Sequence, residues 1–416
     1  MGKDDYFVVE FDRGKRTFYP GEAINGTLRL KVNKELKLRG VRIEFHGKAH
    51  VHWSETSETY GDHGSGVNTV NRRTRHYNNS QTYIDTLATL FGKAPGQRGE
   101  DPVVQPGDYS YPFQFLIPNI NMPTSVEARY GYVRYWLKGI VDRPWRFDIT
   151  TKAAFTMLEY VDINTPLLLQ PCQVQEERDV GYLCCISGPL STTVYTDRGG
   201  YCPGESIGVS AVFSNNSKNE VTGLEIQLFQ LTVFIASGGK QKQREEMVAE
   251  TTSQEGVKPG EETRIIVPLP VPSLPPTTMG CSCIKVSYFL RLKVKVDATF
   301  ISALHIKKIP ITIGSVPYRP PPPAQFPPPG AALTPSAPPL AEFEQASAYP
   351  PASTQYGGHA QTYPNIAPPS YAECVSGGAS IVDEGDKETL GDTSFTPMYP
   401  FVNNYQFPSA PPPSFL

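Results

Sequence analysis

The stretch YVRYWLKGIVD, residues 132–142, concentrates aromatic and β-branched side chains in a short run between Gly and Pro, which is typical of a β-strand. A related stretch follows 153 residues later, where YWLK at 135–138 corresponds to YFLR at 288–291. Two turns stand at the same spacing, Pro-Gly-Asp at 106–108 and Pro-Gly-Glu at 259–261. The constant offset between turn and strand predicts that one β architecture occurs twice in the chain.

Short runs of Val, Ile, Phe and Tyr alternate with Pro-Gly and Asn-rich turns over the first 314 residues, with little helical periodicity. In a Pro-Gly pair, Pro fixes φ at the second turn position and Gly takes the positive φ of a type II turn. Another such pair precedes a strand in each half, at 20–22 and at 203–205. These patterns predict an all-β fold with two related sandwich domains. The predicted strands are 23–32, 40–53, 109–118 and 132–142 in the first domain, and 206–215, 223–236, 263–272 and 285–297 in the second.

Proline content divides the chain into a folded part and a tail. Of the 41 prolines, 22 lie between residues 317 and 413, where only ten charged residues occur. Such a segment buries too little apolar surface to offset its chain entropy, so the tail is predicted to be disordered. The predicted organisation is a first domain at 1–166, a linker at 167–181, a second domain at 182–314 and a Pro-rich tail at 315–416.

Charge and hydropathy narrow the class of protein further. The tail carries a net charge of −6 and the whole chain −3, which leaves residues 1–314 slightly basic, near +3. This balance permits peripheral contact with an anionic membrane and does not indicate a nucleic-acid partner. The N-terminus does not show the pattern of a secretory signal peptide, and no apolar run approaches the ~18 residues of a membrane-spanning helix. The odd number of cysteines, seven, is more typical of a protein in a reducing compartment than of a disulfide framework. We therefore expect a cytoplasmic protein.

Five stretches together resemble a known family: FYPGEAINGTLRL (18–30), QPGDYSYPFQFLIP (105–118), YGYVRYWLKGIVDRP (130–144), TDRGGYCPGE (196–205) and CIKVSYFLRLKV (283–294). They are similar to the arrestin N- and C-terminal domains of the α-arrestins, the arrestin domain-containing group. The resemblance implies two tandem immunoglobulin-type β-sandwiches and an adaptor that is not an enzyme and holds no cofactor. It also implies that NEDD4-type HECT ubiquitin ligases are recruited to membrane receptors or transporters, for endocytosis and sorting at the plasma membrane and endosomes.

The tail contains the tetrapeptide Pro368-Pro369-Ser370-Tyr371, which fits the PPxY motif. Pro-rich chain favours the polyproline II conformation, so the two prolines can dock in the aromatic groove of a WW domain with little entropy left to lose. The tyrosine then enters a neighbouring pocket. A Pro-rich tail with many tyrosines also produces PPxY by accident. Because this motif accompanies a chain that resembles the α-arrestins, WW-domain binding is the favoured interpretation.

The tetrapeptide PSAP occurs twice in the tail and resembles the late-domain signal that the UEV domain of ESCRT-I binds. Ser, Ala and Pro are abundant here, so one copy alone would be near background. The repeat supports an alternative function in which the chain links ESCRT-I to membrane budding. Two tyrosine patterns, at 363–366 and 399–402, also fit clathrin-adaptor signals. The PSAP residues are Pro335, Ser336, Ala337 and Pro338, and Pro408, Ser409, Ala410 and Pro411.

Histidines and cysteines define an alternative of another class, a metal- or thiol-dependent enzyme. His46, His50 and His52 share one face of a predicted strand, but no correctly spaced Glu follows them as a further metal ligand. Cys281 and Cys283 could form a four-thiolate site with the pair at 184–185, although the spacing is not that of a zinc ribbon. A half-exposed strand face and buried cysteines are the favoured interpretation. Neither a metal site nor a catalytic residue is predicted.

A polar insertion at 54–80 carries the basic run NRRTRH at 71–76. It is predicted to be a mobile, solvated hairpin loop, because it has little to bury. A functional alternative is a basic contact to phospholipid headgroups or acidic cargo tails through Arg72, Arg73 and Arg75.

Overall fold

The computed structural model describes residues 6–62, 68–180, 188–278, 280–298, 303–319, 379–381, 389–390 and 394–402. Within these ranges the chain forms β-strands and one 3-10 turn, Asp12–Gly14, and contains no helix that is long and apolar enough to cross a membrane. The strands of the first domain are β1 (Tyr6–Phe11), β2 (Thr17–Phe18), β3 (Ala23–Val32), β4 (Leu36–Lys37), β5 (Gly40–Asp62), β6 (Asn68–Gly92), β7 (Val103–Val104), β8 (Gly107–Leu116), β9 (Val126–Ala128), β10 (Gly131–Asp142) and β11 (Ile149–Met157). Those of the second are β12 (Cys172–Asp179), β13 (Pro189–Thr196), β14 (Gly200–Tyr201), β15 (Ser206–Asn215), β16 (Val221–Ile235), β17 (Gln241–Ser253), β18 (Glu262–Pro270), β19 (Ile284–Val296), β20 (Ala303–His305) and β21 (Ile309–Ile313). The tail contributes β22 (Ala379–Ser380), β23 (Thr389–Leu390) and β24 (Ser394–Phe395).

The first domain is a sandwich of two sheets. β3 lies between β1 and β8 in one sheet, and the other has the order β2-β11-β10-β5-β6 with β9 added to β10. Buried residues recur along β3 because one face of the strand packs on the opposite sheet. Between the sheets lies an aromatic cluster in which Phe155 meets Phe18 edge-on at 5.3 Å and Phe45 at 5.7 Å, measured between ring centroids. The core therefore forms where the two apolar faces meet.

The second domain repeats this plan, with sheets of order β12-β13-β15-β18 and β14-β21-β19-β16-β17. The related strands β10 and β19 hold equivalent tyrosines. The Tyr135 hydroxyl donates to the Pro123 carbonyl oxygen at 2.9 Å, and the Tyr288 hydroxyl donates to the Pro275 carbonyl oxygen at 2.6 Å. Burial raises the pKa of Tyr135 well above its ordinary value, so this hydroxyl stays protonated and able to donate. The predicted repeat of one β architecture is confirmed, and the two domains share an equivalent tyrosine hydrogen bond.

Three of the four Pro-Gly turns have the predicted backbone conformation. Gly21, Gly204 and Gly260 adopt φ of 86°, 93° and 79°. The prediction of a positive φ is wrong at Gly107, because this residue begins β8 and pairs in extended conformation with Val32 of β3.

The two domains pack directly on each other. Tyr130 of the first domain meets Phe234 of the second edge-on, with ring centroids 5.4 Å apart. Asn79 Nδ2 donates to the Ile235 carbonyl oxygen at 3.1 Å. The segment expected to be a linker contains β12, because the alternating residues Cys172–Asp179 pair with β13 at a sheet edge. The apolar core consequently continues from one domain into the other.

The insertion at 54–80 differs from the predicted loop. β5 and β6 remain paired as a hairpin as far as Asp62 and Asn68. Cross-strand contacts support this pairing, for example between the hydroxyls of Thr56 and Thr74, whose oxygens lie 3.1 Å apart. Threonine favours extended chain, and such directly opposed pairs stabilise a ladder without a buried face. A polar segment therefore forms strands here.

Candidate functional site

Residues 315–319 of the predicted tail continue directly from the second domain, where the Ser315 hydroxyl donates to the Glu159 carbonyl oxygen at 2.7 Å. Three further short pieces of the Pro-rich tail lie on the folded core, at 379–381, 389–390 and 394–402. We call these residues the docked tail pieces. Over them the structure differs from the prediction that the whole of 315–416 is disordered. The physical reason is apolar burial, since Ile381, Phe395 and Tyr399 are all buried. Such burial offsets the entropy of ordering a short segment.

The first docked pieces cover the larger sheet of the first domain. β23 pairs in parallel with β11, and the hydroxyl oxygens of Thr150 and Thr389 lie 3.2 Å apart. β22 pairs with β24. Ile381 and Phe395 then pack together with Trp136 on the outer face of the sheet. The tail thus adds both a strand and a small apolar cluster to the core.

Two basic side chains of this sheet hold main-chain oxygens of the tail. Lys152 Nζ donates to the Ile381 carbonyl oxygen at 3.1 Å, and Arg134 Nη1 donates to the Ser380 carbonyl oxygen at 3.2 Å. Arg134 also contacts both oxygens of Glu127, at 2.7 and 2.8 Å. Burial raises the pKa of Glu127, and the guanidinium opposes that rise. Because Lys152 is only 3% exposed, the tail carbonyl replaces water as a partner of its ammonium.

The last docked piece crosses from the first domain to the second. The Tyr399 hydroxyl donates to the Ser125 carbonyl oxygen at 3.0 Å, and the Val402 N–H donates to the Pro203 carbonyl oxygen at 2.9 Å. A Cβ atom on Gly204 would lie 2.3 Å from the Val402 oxygen, so only glycine allows this approach. The clathrin-adaptor pattern that begins at Tyr399 is covered in this arrangement, since its tyrosine is 6% exposed.

Two of the motifs predicted in the tail stand within eight residues of a docked tail piece along the chain, whereas the PSAP copy at 335–338 does not. Tyr371 precedes Ala379 by eight residues, which span at most about 28 Å of extended chain. Pro408 follows Val402 by six residues. The motif residues themselves lie outside the described part of the structure: Pro368, Pro369, Ser370 and Tyr371, and the PSAP copies at 335–338 and 408–411.

The three predicted contact arginines, Arg72, Arg73 and Arg75, lie exposed on the outer part of β6. Arg72 Nε forms an ion pair with Glu58 Oε1 across the hairpin at 2.7 Å. The Ser57 hydroxyl donates to the Arg73 carbonyl oxygen at 3.3 Å. Exposed ion pairs contribute little to stability, so these side chains remain available to a partner.

The histidine face of β5 is half-exposed, as predicted. His46 Nε2 lies 2.8 Å from Glu44 Oε2, and this hydrogen bond is the main cause that lowers the pKa of Glu44. His50 lies against the ring of Tyr132, with centroids 5.7 Å apart, and His52 is exposed. Across the residues that the structure describes, no three His, Cys, Asp or Glu side chains come together to hold a metal ion.

Cys281 and Cys283 are buried, as predicted, and the pair at 184–185 lies outside the described residues. Hydrogen bonding distinguishes the two thiols, which the sequence alone did not indicate. The Cys283 thiol donates to Cys281 Sγ, which also accepts from the Ile284 N–H at 3.3 Å. These donors favour the thiolate and lower the pKa of Cys281 to about 6 against the opposing effect of burial. The same hydrogen bond, together with burial, raises the pKa of Cys283.

Two family models match most of the folded core. The model of the arrestin (or S-antigen) N-terminal domain matches residues 7–164, and that of the C-terminal domain matches residues 186–318. Arrestin domain-containing protein 4 of Mus musculus is 29% identical over 311 residues, which cover 75% of this chain and 72% of that protein. Arrestin domain-containing protein 17 of Caenorhabditis elegans is 25% identical over 452 residues, which cover 96% of this chain and 99% of that protein. Thioredoxin-interacting protein of Sus scrofa is 28% identical over 319 residues, which cover 74% of each.

Proposed function

Because this chain belongs to the α-arrestin family of arrestin domain-containing proteins, we propose that it is an adaptor that brings NEDD4-type HECT ubiquitin ligases to membrane receptors or transporters. The two sandwich domains contact the cytoplasmic side of the cargo, and the motif at 368–371 binds a WW domain of the ligase. The cargo is then ubiquitinated, internalised and sorted, with the adaptor acting from the cytoplasm at the plasma membrane and endosomes. The anchoring of the tail beside the core is the observation that supports this proposal most.

The chemistry of the motif fits a WW domain. Pro368 and Pro369 favour the polyproline II conformation that an aromatic groove binds, and Tyr371 supplies a ring and a hydroxyl for the pocket beside it. Prolines have little conformational entropy to lose on binding, so a short motif reaches a useful affinity.

The docked tail pieces give this motif a short tether. A ligase bound at Tyr371 is held within at most about 28 Å of chain from Ala379, which lies on the first domain. A cargo bound to the same core then meets the ligase at a high effective concentration, even where each separate contact is weak. A short tether therefore raises the frequency with which the ligase meets the cargo, even if the adaptor binds each of them with modest affinity.

Replacement of Tyr371 by Ala tests the motif directly. We expect Tyr371→Ala in the full chain to lower the affinity for isolated WW domains of a NEDD4-type ligase by at least about tenfold, because the tyrosine pocket is left empty. Binding is measured by titration of purified protein. Tyr363→Ala is the matched control, since Tyr363 lies in the same tail next to a proline but outside a PPxY sequence. Equal affinity of Tyr371→Ala and the unmodified chain would show that the tetrapeptide is a product of biased composition.

A second candidate function rests on the repeated PSAP sequence. One copy lies at 335–338, and the other begins six residues after Val402 of the last docked piece. Two identical copies allow bivalent or alternative attachment to a UEV domain. In this candidate the chain links ESCRT-I to membrane budding, with ligase recruitment as a lesser role.

We infer a binding role rather than catalysis for the core. The histidines of β5 have ordinary structural partners, in that His46 bonds to Glu44 and His50 lies against Tyr132. The curated relatives are named as arrestin domain-containing and interacting proteins. Both observations support an adaptor over a metal- or thiol-dependent enzyme.

A further inference from the structure

The loop that joins β10 to β11, residues 143–148, presents two aromatic side chains to solvent. Trp145 is 98% exposed and Phe147 is 78% exposed. Large aromatic side chains bury most of their surface in a folded protein, so two exposed in one short loop require an explanation. We call residues 143–148 the aromatic loop.

Hydrogen bonds join the two ends of the aromatic loop. The Arg143 N–H donates to Asp148 Oδ1 at 3.1 Å, and Arg143 Nε donates to the Phe147 carbonyl oxygen at 2.8 Å. Ile149, which follows at once, is buried in the core. These contacts hold the loop in one shape before any partner arrives, which lowers the entropy lost on binding.

The backbone at Trp145 is strained, and the same residue exposes its side chain to solvent. Its φ is 61°, in the left-handed region that bulky side chains rarely adopt. Such conformations persist where the surrounding structure enforces them, and they concentrate at functional sites. Here the strained residue is the one whose side chain is almost fully exposed. This combination points to an indole that is held outward for contact with a partner.

The surroundings of the aromatic loop are positively charged. Asp142 is neutralised by Arg39 at 3.0 Å and by Arg42 at 2.8 Å. Arg146 is exposed and forms no ion pair within the described part of the chain. Among the side chains that line the loop or pair with Asp142, four arginines outnumber two aspartates: Arg39, Arg42, Arg143 and Arg146 against Asp142 and Asp148.

We propose that the aromatic loop is a contact to the interface of an anionic lipid bilayer. Trp145 and Phe147 enter the headgroup region, where amphipathic rings are stable, and Arg146 faces lipid phosphates. The occupant is a bilayer rather than an extended peptide, because the strand ends beside the loop are already paired: β10 lies between β5 and β11, and Thr150 and Thr151 of β11 pair with β23. The inference rests on the proposed role at membranes and adds the surface by which the core attaches there.

This surface is separate from the basic hairpin. Gly40 at the start of β5 pairs with Asp142, whereas Asp62 at its end pairs with Asn68. The aromatic loop and the arginines of β6 therefore lie toward opposite ends of one long strand. Substitutions at the loop leave the hairpin unchanged, so the two contributions to membrane binding can be measured independently.

Tryptophan fluorescence of the full chain gives a direct readout, because the protein has three tryptophans in different environments. Trp53 is buried and Trp136 is partly buried, so Trp145 dominates any response of an exposed indole. We expect a blue shift when the protein is mixed with phosphatidylcholine vesicles that contain about 30% phosphatidylserine, and a much smaller shift with phosphatidylcholine alone. The assay includes no ligase and no cargo, so its failure is distinguishable from failure of the adaptor proposal.

Variants make the test quantitative. The double variant Trp145→Ala, Phe147→Ala should lower the vesicle partition constant by at least about tenfold, and Arg146→Gln should lower it about fivefold for anionic vesicles. Trp145→Gly relieves the backbone strain while removing the indole, so it folds and should lose binding and blue shift together. Tyr160→Ala, which removes an aromatic ring that is 62% exposed elsewhere, is the matched control and should bind normally. The proposal is overturned if the unmodified chain shows no blue shift, or if the double variant binds vesicles as well as the control does.

Discussion

Cys281 shows how hydrogen bonds change the chemistry of a buried side chain. Its sulfur accepts from the Cys283 thiol and from the Ile284 N–H, and its pKa is lowered to about 6 as a result. An unfolded cysteine titrates near about 8.5. Between these values the unfolded chain binds more protons at this position than the folded chain does, so folding stability must rise with pH.

We therefore expect the stability difference between the unmodified protein and Cys281→Ala to grow between pH 6 and pH 8.5, by on the order of 1 kcal/mol. The contribution is lost as pH falls through about 6. Above pH 8.5 the raised pKa of Cys283 acts in the opposite direction, because the folded state then holds the extra proton. The free energy of unfolding, measured in denaturant with reductant present at both pH values, checks this.

Cys202→Ala is the control for the pH effect. Burial raises the pKa of Cys202, so its thiol stays protonated in the folded state, while the unfolded chain is only about half ionised at this position at pH 8.5. The cost of its replacement should therefore differ by no more than about 0.4 kcal/mol between the two pH values, which is nearly constant. If Cys281→Ala also shows a constant difference, the Cys281 thiolate does not form.

At the scale of elements, the docked tail pieces depend on a few apolar contacts. Phe395 packs with Ile381 and Trp136, and these side chains hold β22 and β24 on the first domain. Removal of the Phe395 ring leaves a gap that so short a segment cannot repack.

We expect Phe395→Ala to speed amide hydrogen exchange of the docked tail pieces by at least about tenfold, while the strands of both sandwich domains stay protected. Exchange followed by mass spectrometry resolves the two regions. Phe343→Ala, which removes a tail aromatic outside the docked tail pieces, should leave the pattern unchanged. Rapid exchange of the docked tail pieces in the unmodified protein would contradict the docking.

Local sequence patterns predict some strands of the protein and miss others. β3 and β15 coincide with the predicted strands at 23–32 and 206–215, because a Pro-Gly turn and an alternating run define each one locally. The docked tail pieces have no such local signal. Their partners stand far away along the chain, as in the contact of Arg134 with Ser380 across 246 positions. Proline content predicts a boundary between the domains and the tail, but it does not identify the few tail residues that bind back to the core.

At the scale of the whole molecule, the last docked piece connects both domains. Tyr399 bonds to Ser125 of the first domain, and Val402 bonds to Pro203 of the second. Along the chain, Ala379 follows Tyr371 by eight residues, and Pro408 follows Val402 by six. The PPxY sequence is local, and its WW-domain binding stays a prediction, whereas the position of Ser380 on the core depends on tertiary contacts that only the structure reveals.

The central claim is that one chain holds cargo through its core and a ligase through Tyr371. Affinity purification from cells of the full chain and of Tyr371→Ala, with quantification of bound proteins, tests both halves together. We expect Tyr371→Ala to lose HECT ligases by at least about tenfold and to retain membrane receptors or transporters. A comparison variant, Pro338→Ala with Pro411→Ala, should lose ESCRT-I and keep the ligase, because the motifs are separate in the chain. Recovery of HECT ligases with Tyr371→Ala at the level of the unmodified chain would contradict the proposed adaptor function.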